Sequence, residues 1–277
     1  MSKLKNSKTS VKVTGSPVFE RLVPALLVIT VGLAFLVGTL WQKVENLNKG
    51  GTGTVSTTET GQQQAPAPIK VDKKQIEAVF DREVVKFGNK DSKVLFVEFT
   101  DPSCPYCHIA GGKNPELNKQ VGTQFTLVSD GGSYVAPVPE MRKLVEDGKA
   151  SLALLYFNGH GNGELSMKAM YCAYDEGKFW EAHDLFMSNK GYDFVNNEAK
   201  NDKTNISKVV DFLKPIGLKN LNTCLESGKY DGRLQEEMNL GLELGVSGTP
   251  GFFVNENNFA GAYSFNDMKS VVDLLLK

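Results

Sequence analysis

An apolar run that ends in a pair of cysteines constrains this chain more than any other feature. Residues 94–99 read Val-Leu-Phe-Val-Glu-Phe, a pattern typical of a strand that is buried on both faces of a sheet. Asp101-Pro102 then breaks the strand, and Ser103 suits the N-cap of a following helix. The sequence therefore predicts an α/β fold in which a central strand leads directly into a helix.

The two cysteines open that helix with the sequence Cys104-Pro105-Tyr106-Cys107. Pro105 fits the first turn, where its missing N–H loses no intrahelical hydrogen bond. A helix N-terminus stabilises a thiolate, and cysteines there have pKa values of about 3.5 to 7.5 instead of roughly 8.5. We therefore predict Cys104 as the nucleophile and Cys107 as its resolving partner. His108 would tune the thiolate if it lies close to it; an exposed bystander is the alternative.

Two other interpretations of the cysteine pair are open. Half of a zinc site would need two more ligands, and Cys172 and Cys224 form no second closely spaced pair. A static structural disulfide is the other interpretation. A helix-opening Cys-Pro-x-Cys directly after a buried strand favours redox chemistry, so we predict neither a metal site nor a cofactor.

Glu98 is an ionisable residue inside the apolar strand, six positions before Cys104. Buried acids are rare unless they are used or paired, and burial raises the pKa of a carboxyl group. Glu98 is therefore a candidate for relaying the proton that Cys107 loses or gains. The alternative is a glutamate at a strand edge that points to solvent.

A second motif lies late in the chain, where residues 245–255 read Gly-Val-Ser-Gly-Thr-Pro-Gly-Phe-Phe-Val-Asn. Pro250 stands just before a strand-like run, where proline is tolerated and a cis bond would serve as a turn device. The buried strand, the Cys-Pro-Tyr-Cys and this Thr-Pro motif together resemble the thioredoxin superfamily. The segment between them, which includes Gly-Lys-Phe-Trp-Glu-Ala-His-Asp-Leu-Phe at residues 177–186, is similar to its DsbA-like branch. The resemblance covers about residues 94–276.

The resemblance implies a fold and a set of roles. The fold is a thioredoxin-like α/β fold with a helical insertion, in which Pro250 is a cis-proline that faces the disulfide. The backbone of Thr249 would pair with a substrate strand, and Pro105 and Tyr106 would also contact substrate. Glu98 would be the buried acid. A membrane redox partner that regenerates the disulfide is also implied.

The N-terminal part of the chain predicts a membrane anchor. Residues 23–41 carry no charge and, at 1.5 Å per residue, are about long enough to cross a ~30 Å hydrocarbon core. Lysines are frequent before this span and sparse after it, so the positive-inside rule places residues 1–22 in the cytoplasm. Everything after the span is then extracytoplasmic. A removed signal peptide is the alternative, although no convincing cleavage site precedes Trp41.

A linker and one folded domain follow the anchor. Residues 42–68 predict a disordered linker, because Gly-Gly-Thr-Gly, a glutamine run and Ala-Pro-Ala-Pro leave almost nothing apolar to bury. The folded domain spans residues 69–277. Residues 71–87 predict a packing helix before the central strand, and residues 150–157 predict a second strand parallel to it. Residues 164–244 predict the helical insertion.

Turn signals predict two hairpins in the folded domain. Residues 125–135 contain strand-like runs on either side of Asp-Gly-Gly, and this insertion would either shape a substrate groove or decorate the surface. Residues 252–262 contain two strand-like runs around a turn at residues 256–258. Ser264 can cap a final helix after the second hairpin.

The remaining two cysteines, Cys172 and Cys224, both fall in the helical insertion. In an exported protein they would pair and staple two helices, which typically stabilises a fold by about 2 to 4 kcal/mol. Two buried free thiols are the alternative. Four cysteines that are even in number and far apart suit an oxidising compartment.

These features predict a membrane-anchored, extracytoplasmic thiol–disulfide oxidoreductase that acts on the thiols and disulfides of exported proteins. The formal net charge of −1 argues against nucleic-acid binding. The same residues would catalyse disulfide isomerisation or reduction if the dithiol form of the Cys104–Cys107 pair were favoured. The direction of exchange is therefore open. A tethered binding module with a purely structural disulfide is the alternative from another functional class.

Overall fold

A computed structural model describes residues 70–277. The predicted membrane span at residues 23–41 and the predicted linker at residues 42–68 lie outside the described residues, so both stay predictions. Within residues 70–277, no helix combines the length and the apolar character that a membrane crossing requires.

One mixed sheet forms the centre of the described part. Its strands are β1 (Val85–Phe87), β2 (Val94–Thr100), β3 (Ala150–Tyr156), β4 (Gly251–Val254) and β5 (Asn257–Ala260). Their order is β1-β3-β2-β4-β5; β2 pairs in parallel with β3, and the other neighbours are antiparallel. Every residue of β2 and β3 is buried, so the continuous apolar runs belong to strands covered on both faces, as the sequence predicts.

Helices cover both faces of this sheet. They are α1 (Lys73–Val79), α2 (Pro105–Gly111), α3 (Pro115–Val121), α4 (Pro137–Glu146), α5 (Glu164–Asp175), α6 (Phe179–Phe186), α7 (Asn189–Asp193), α8 (Ile206–Phe212), α9 (Leu221–Glu226), α10 (Asp231–Glu243) and α11 (Phe265–Leu276). A π-helical stretch, Phe194–Ala199, follows α7. Helices α5 to α10 lie between β3 and β4 in the chain and form the helical insertion.

Side-chain alternation along β2 divides the core into two apolar layers. Val94 and Phe96 enter a layer that includes side chains of α4, α5, α6 and α11. Leu95 and Val97 enter the opposite layer with side chains of α1 and α10. Glu98 occupies the same face of β2 as Phe96, so its carboxyl group is enclosed on the side of the sheet that carries α5 and α6.

The predicted helix over residues 71–87 is wrong in its second half. Helix α1 ends at Val79, and the chain turns and enters β1, where Val85 pairs with Leu154 of β3. Val84 and Val85 are both buried, as a helical face would require, but β-branched residues also suit a short edge strand. Apolar spacing alone does not separate these two outcomes over so few residues.

The predicted hairpin at residues 125–135 is also wrong. Short 3-10 turns occupy residues 123–125 and 128–130, and the bridge between Leu127 and Tyr134 is parallel. Gly131, at φ +84°, turns the chain, and the N–H of Gly132 donates to the Leu127 carbonyl. The segment therefore closes on itself as a compact loop and extends no strand ladder.

The last part of the chain follows its predicted order with shifted boundaries. Gly228, at φ +67°, separates α9 from α10 within the predicted helical insertion. Strands β4 and β5 form the predicted second hairpin, with its turn at Asn255 and Glu256. Ser264 caps α11 through a capping box with Asp267.

Candidate active site

Cys104 and Cys107 lie at the end of the central strand, where α2 begins. Cys104 is the N-cap residue, and its carbonyl accepts hydrogen bonds from the N–H groups of Cys107 (3.1 Å) and His108 (3.2 Å). Both thiols are free; Cys104 is 4% exposed and Cys107 is 1% exposed. The side chain of Met187 packs against the pair from the helical insertion.

The two thiols differ in acidity. The hydrogen bond from the Cys107 thiol lowers the pKa of Cys104 to about 6, and backbone N–H groups at the start of α2 act in the same direction. Burial, followed by the neighbouring Cys104 sulfur, raises the pKa of Cys107 well above its usual range. At neutral pH the reduced site therefore holds a Cys104 thiolate beside a Cys107 thiol, an arrangement that fits the predicted role of Cys104 as the nucleophile.

The Thr249-Pro250 peptide bond is cis and lies beside Cys104. The Cys104 thiol reaches the Thr249 carbonyl oxygen, with 3.4 Å between sulfur and oxygen. Gly251 follows directly and pairs with Phe99 of β2, so the strand ladder holds this bond against the start of α2. The structure thus brings the early cysteine motif and the late Thr-Pro motif into one site.

Asp101 organises the loop between β2 and α2, although its sequence position identified it only as a strand breaker. Its Oδ1 accepts from the N–H and hydroxyl of Ser103 (2.8 and 2.7 Å), and its Oδ2 accepts from the N–H groups of Gly159 and His160 (both 2.9 Å). The predicted N-cap role of Ser103 is therefore wrong: its hydroxyl serves Asp101, and Cys104 is the N-cap.

The glycine-rich loop at residues 158–163 packs against both halves of the site. A Cβ atom on Gly159 would lie 1.7 Å from Thr249 Oγ1, and one on Gly163 would lie 1.8 Å from Asp101 Oδ1. Such distances exclude side chains at both positions. The three glycines in this loop were a sequence signal for close backbone approach that could have been used.

Glu98 lies in the central strand and not at an edge. It is 1% exposed, and burial raises the pKa of its carboxyl group to about 7, although the Thr100 hydroxyl acts in the opposite direction. The acid is therefore partly protonated at neutral pH. A carboxyl with this acidity suits general acid–base chemistry near pH 7.

His108 is buried and therefore not an exposed bystander. Its Nε2 lies 2.8 Å from the Pro102 carbonyl oxygen, and its Nδ1 lies 3.0 Å from the Met187 carbonyl oxygen. Burial lowers the pKa of the imidazole to about 4, so the ring is neutral at pH 7. A neutral ring carries one N–H, so His108 donates a hydrogen bond to one of these two carbonyl oxygens and only contacts the other.

Tyr106 marks the exposed side of the motif. Its side chain is 45% exposed, and its ring centroid lies 6.0 Å from that of Phe125 in the compact loop that follows α3. Phe125 and Tyr134 line a groove of about 340 Å³ that continues along residues 260–264. The insertion after α2 therefore borders the face on which Tyr106 is exposed.

The described residues offer no metal centre. Within residues 70–277, no group of three or more His, Cys, Asp or Glu side chains is placed to hold a metal ion. The cysteine pair therefore has no partner ligands in that part of the chain with which to complete a tetrahedral zinc site.

A family model described as Thioredoxin matches residues 139–274. The match begins after the two cysteines and contains the helical insertion and the cis bond that faces Cys104. The match covers just under half of the chain, and over this stretch the chain is similar to the thioredoxin superfamily.

Two solved structures from Wolbachia pipientis are among the matches to this chain. The alpha-DsbA1 protein gives a TM-score of 0.52 at 13% identity, over 73% of this chain and 95% of that one. The thiol-disulfide exchange protein alpha-DsbA2 gives a TM-score of 0.49 at 21% identity, over the same shares. At 13% identity the likeness to alpha-DsbA1 shows the fold alone, and the activity has to follow from the site itself.

Two curated sodium/proton antiporters share a segment with this chain. NhaA 1 of Salinispora arenicola is 26% identical over 193 residues, which are 69% of this chain and 24% of the antiporter. NhaA 3 of Salinispora tropica is 23% identical over 194 residues, with the same shares. The chain thus spans about a quarter of the length of these relatives, and the likeness concerns that segment alone.

Cys172 and Cys224 form a disulfide in the helical insertion. Cys172 lies in α5 and Cys224 in α9, with 6.0 Å between their Cα atoms and 52 residues between them in the chain. Cys172 is buried in the apolar layer of the helical insertion, whereas the redox pair belongs to a separate cluster with Met187. The bridge therefore joins two helices of the insertion. Cys104 and Cys107 take no part in it and are free thiols.

Replacing Glu98 with glutamine is expected to preserve the fold and to slow thiol–disulfide exchange. The amide nearly matches the carboxyl in size but holds no transferable proton, and general acid–base catalysis typically contributes about 10²- to 10⁴-fold. Exchange rates between pH 5 and 9 should lose the inflection near pH 7 that follows from the pKa of Glu98, about 7. Alkylation of Cys104 should keep its own pH dependence.

Stability provides an independent check on Glu98. Its pKa rises from an ordinary value of 4.5 to about 7 on folding, so between these values the folded protein holds a proton that the unfolded chain releases. The contribution of this proton to the free energy of unfolding is fully present below about pH 4.5. It is lost as pH rises through 7, and the free energy of unfolding falls by at most about 3 kcal/mol. Glu98→Gln should remove that loss; identical pH dependence in urea titrations of both proteins would contradict a buried, titrating Glu98.

Proposed function

We propose that this protein is a membrane-anchored, extracytoplasmic thiol–disulfide oxidoreductase that forms or rearranges disulfides in exported proteins. The observation that carries the proposal is the pairing of a low-pKa Cys104 thiolate with a buried high-pKa Cys107 thiol. The cis Pro250 bond beside Cys104 supports it, because an extended substrate segment would pair there with the Thr249 backbone. Pro105 and the exposed Tyr106 would contact the same substrate.

In the oxidising direction two electrons pass from substrate to the site. A substrate thiolate attacks the Cys104 sulfur of the Cys104–Cys107 disulfide, and the bond to Cys107 breaks with its electron pair on Cys107, which then takes a proton. A second substrate thiolate attacks the substrate sulfur of the mixed disulfide and releases Cys104 as a thiolate. The products are a substrate disulfide and the reduced site.

The acidity of Cys104 bears on the direction of exchange. A stabilised thiolate stabilises the reduced form, which makes the corresponding disulfide a stronger oxidant. The pKa of about 6 for Cys104 lies below the value of about 7 for thioredoxin and above the value of about 3.5 for DsbA. We therefore expect a protein more oxidising than thioredoxin and less oxidising than DsbA.

Location and partners follow from the N-terminal sequence. The uncharged span at residues 23–41, with lysines before it, supports a cytoplasmic N-terminus and an extracytoplasmic domain on a linker. Substrates would be the thiols of exported proteins at the membrane surface. A membrane protein that reoxidises the Cys104–Cys107 pair would complete the cycle.

Equilibration of the full chain with glutathione buffers tests this function. The reduction potential of the Cys104–Cys107 pair is expected between about −270 and −120 mV, the values of thioredoxin and DsbA. After reduction, Cys104 should alkylate quickly at pH 6.5 because its pKa is about 6. A potential at or below about −270 mV would favour a reductase. A pair that neither equilibrates with glutathione nor alkylates at that pH would favour the tethered binding module.

A further inference from the structure

Thr100 is a buried polar residue at the end of the central strand. It is 1% exposed and stands two positions after Glu98, so the two side chains lie on the same face of β2. The next residue, Asp101, donates its backbone N–H to Cys107 Sγ at 3.4 Å. Along the chain Thr100 therefore stands between Glu98 and the residue whose N–H contacts the Cys107 sulfur.

Two polar atoms in this space have no hydrogen-bond partner. They are the hydroxyl oxygen of Thr100 and Oε2 of Glu98, both fully buried. Buried polar atoms are normally paired, because an unpaired one keeps the full cost of its desolvation. Unpaired atoms two positions apart on one strand face indicate groups whose partner forms only during the reaction. The Cys107 thiolate is such a partner, since it exists only after the disulfide opens.

Acidities support this placement. The Thr100 hydroxyl lowers the pKa of Glu98 and also the pKa of Cys107, in both cases against the burial that raises them. A hydroxyl lowers a pKa when it hydrogen-bonds the charged form of the group. Both effects concern the charged forms of these groups, so they agree with a hydroxyl that has no hydrogen-bond partner in the structure.

We propose that the Thr100 hydroxyl relays a proton from Glu98 to Cys107 when the disulfide opens. As the attacking thiolate bonds to Cys104, the electron pair of the broken disulfide stays on Cys107. The hydroxyl donates its proton to that sulfur and accepts the proton of the Glu98 carboxyl. A Cys107 thiol, a Glu98 carboxylate and an unchanged hydroxyl result. The relay rests on the proposed exchange activity and deepens it.

The other titratable groups around the pair are poorly suited to this transfer. Both carboxylate oxygens of Asp101 accept hydrogen bonds from the loop, and both ring nitrogens of His108 face backbone carbonyls. Burial raises the pKa of Tyr134, so that phenol stays neutral. Cys104 is bonded to the substrate sulfur at this step. Glu98 is thus the acid available to Cys107, and Thr100 connects the two.

Two substitutions with opposite expectations test the relay in the full chain. Thr100→Val keeps the shape of the side chain and removes the hydroxyl, whereas Thr100→Ser keeps the hydroxyl. The rate at which dithiothreitol opens the Cys104–Cys107 disulfide should be measured from pH 5 to 9, with Thr100→Ala as a second hydroxyl-free variant. Thr100→Val and Thr100→Ala should lose the inflection near pH 7 and slow at least about tenfold below it. Thr100→Ser should retain both rate and inflection.

The double variant Glu98→Gln, Thr100→Val should be no slower than Glu98→Gln alone, because both changes interrupt one proton path. Wild-type rates and an unchanged inflection in Thr100→Val, or rate losses that multiply in the double variant, would overturn the relay. Equal losses in Thr100→Ser and Thr100→Val would overturn it too, since the hydroxyl would then be irrelevant. Failure of the wild-type chain to exchange at all would instead contradict the proposed function.

Discussion

Full-length protein with Cys107 replaced by serine is expected to accumulate mixed disulfides with exported proteins. Cys104 can still attack a disulfide of an exported protein as a thiolate, because the start of α2 and its backbone N–H groups remain in place. The serine hydroxyl cannot displace the bound substrate, because it is a far weaker nucleophile than a thiol. Cells that produce the variant should therefore show new high-mass species on non-reducing gels that collapse on reduction.

Cys104→Ser is the matched control for this trap. It keeps the other cysteine but removes the accessible thiolate, so neither exchange nor trapping is expected. Burial raises the pKa of Cys107 well above its usual range and outweighs the hydrogen bonds from Thr100 and Asp101 that lower it. Trapping by Cys104→Ser and not by Cys107→Ser would reverse the roles of nucleophile and resolving cysteine.

Those features of the site that depend on local sequence were predictable. The apolar run of β2 predicts a strand that is buried on both faces. A proline in the first helical turn places Cys104 at the helix N-terminus. The cis bond at Pro250 required the resemblance to a family, because no local pattern ties residue 250 to residue 104. Strand pairing between Gly251 and Phe99 makes that connection in the structure.

Features that depend on tertiary packing were not predictable. Asp101 and the loop at residues 158–163 meet through backbone N–H groups. The glycines of the loop indicate a close backbone approach, but no sequence pattern identifies Asp101 as the partner. The compact loop at residues 125–135 has hairpin-like composition, yet its apolar residues pack on Ile109 of α2 and so never form a ladder. In the sequence Thr100 is an ordinary strand residue. Only the folded position of Cys107 gives its hydroxyl the proposed role in proton transfer.

Replacing both Cys172 and Cys224 with alanine is expected to destabilise the helical insertion while leaving thiol exchange largely intact. The bridge closes a loop of 52 residues, for which the chain-entropy model gives about 4 kcal/mol. Measured losses for native disulfides usually reach about 2 to 5 kcal/mol. For a domain of this size such a loss corresponds to a decrease in melting temperature on the order of 10 °C.

The position of the bridge makes this prediction separable from catalysis. Cys172 and Cys224 join α5 to α9, whereas Cys104 and Cys107 contact Met187 at the end of α6 in a separate cluster. Thermal unfolding and dithiothreitol reaction rates should be measured on the same preparation, with mass mapping of the oxidised native protein to locate each bridge. Free thiols at both positions would contradict the pairing, and so would slower exchange without lower stability. If the melting temperature falls while exchange stays at the wild-type rate, the Cys172–Cys224 bridge holds the insertion together and the Cys104–Cys107 pair performs the exchange.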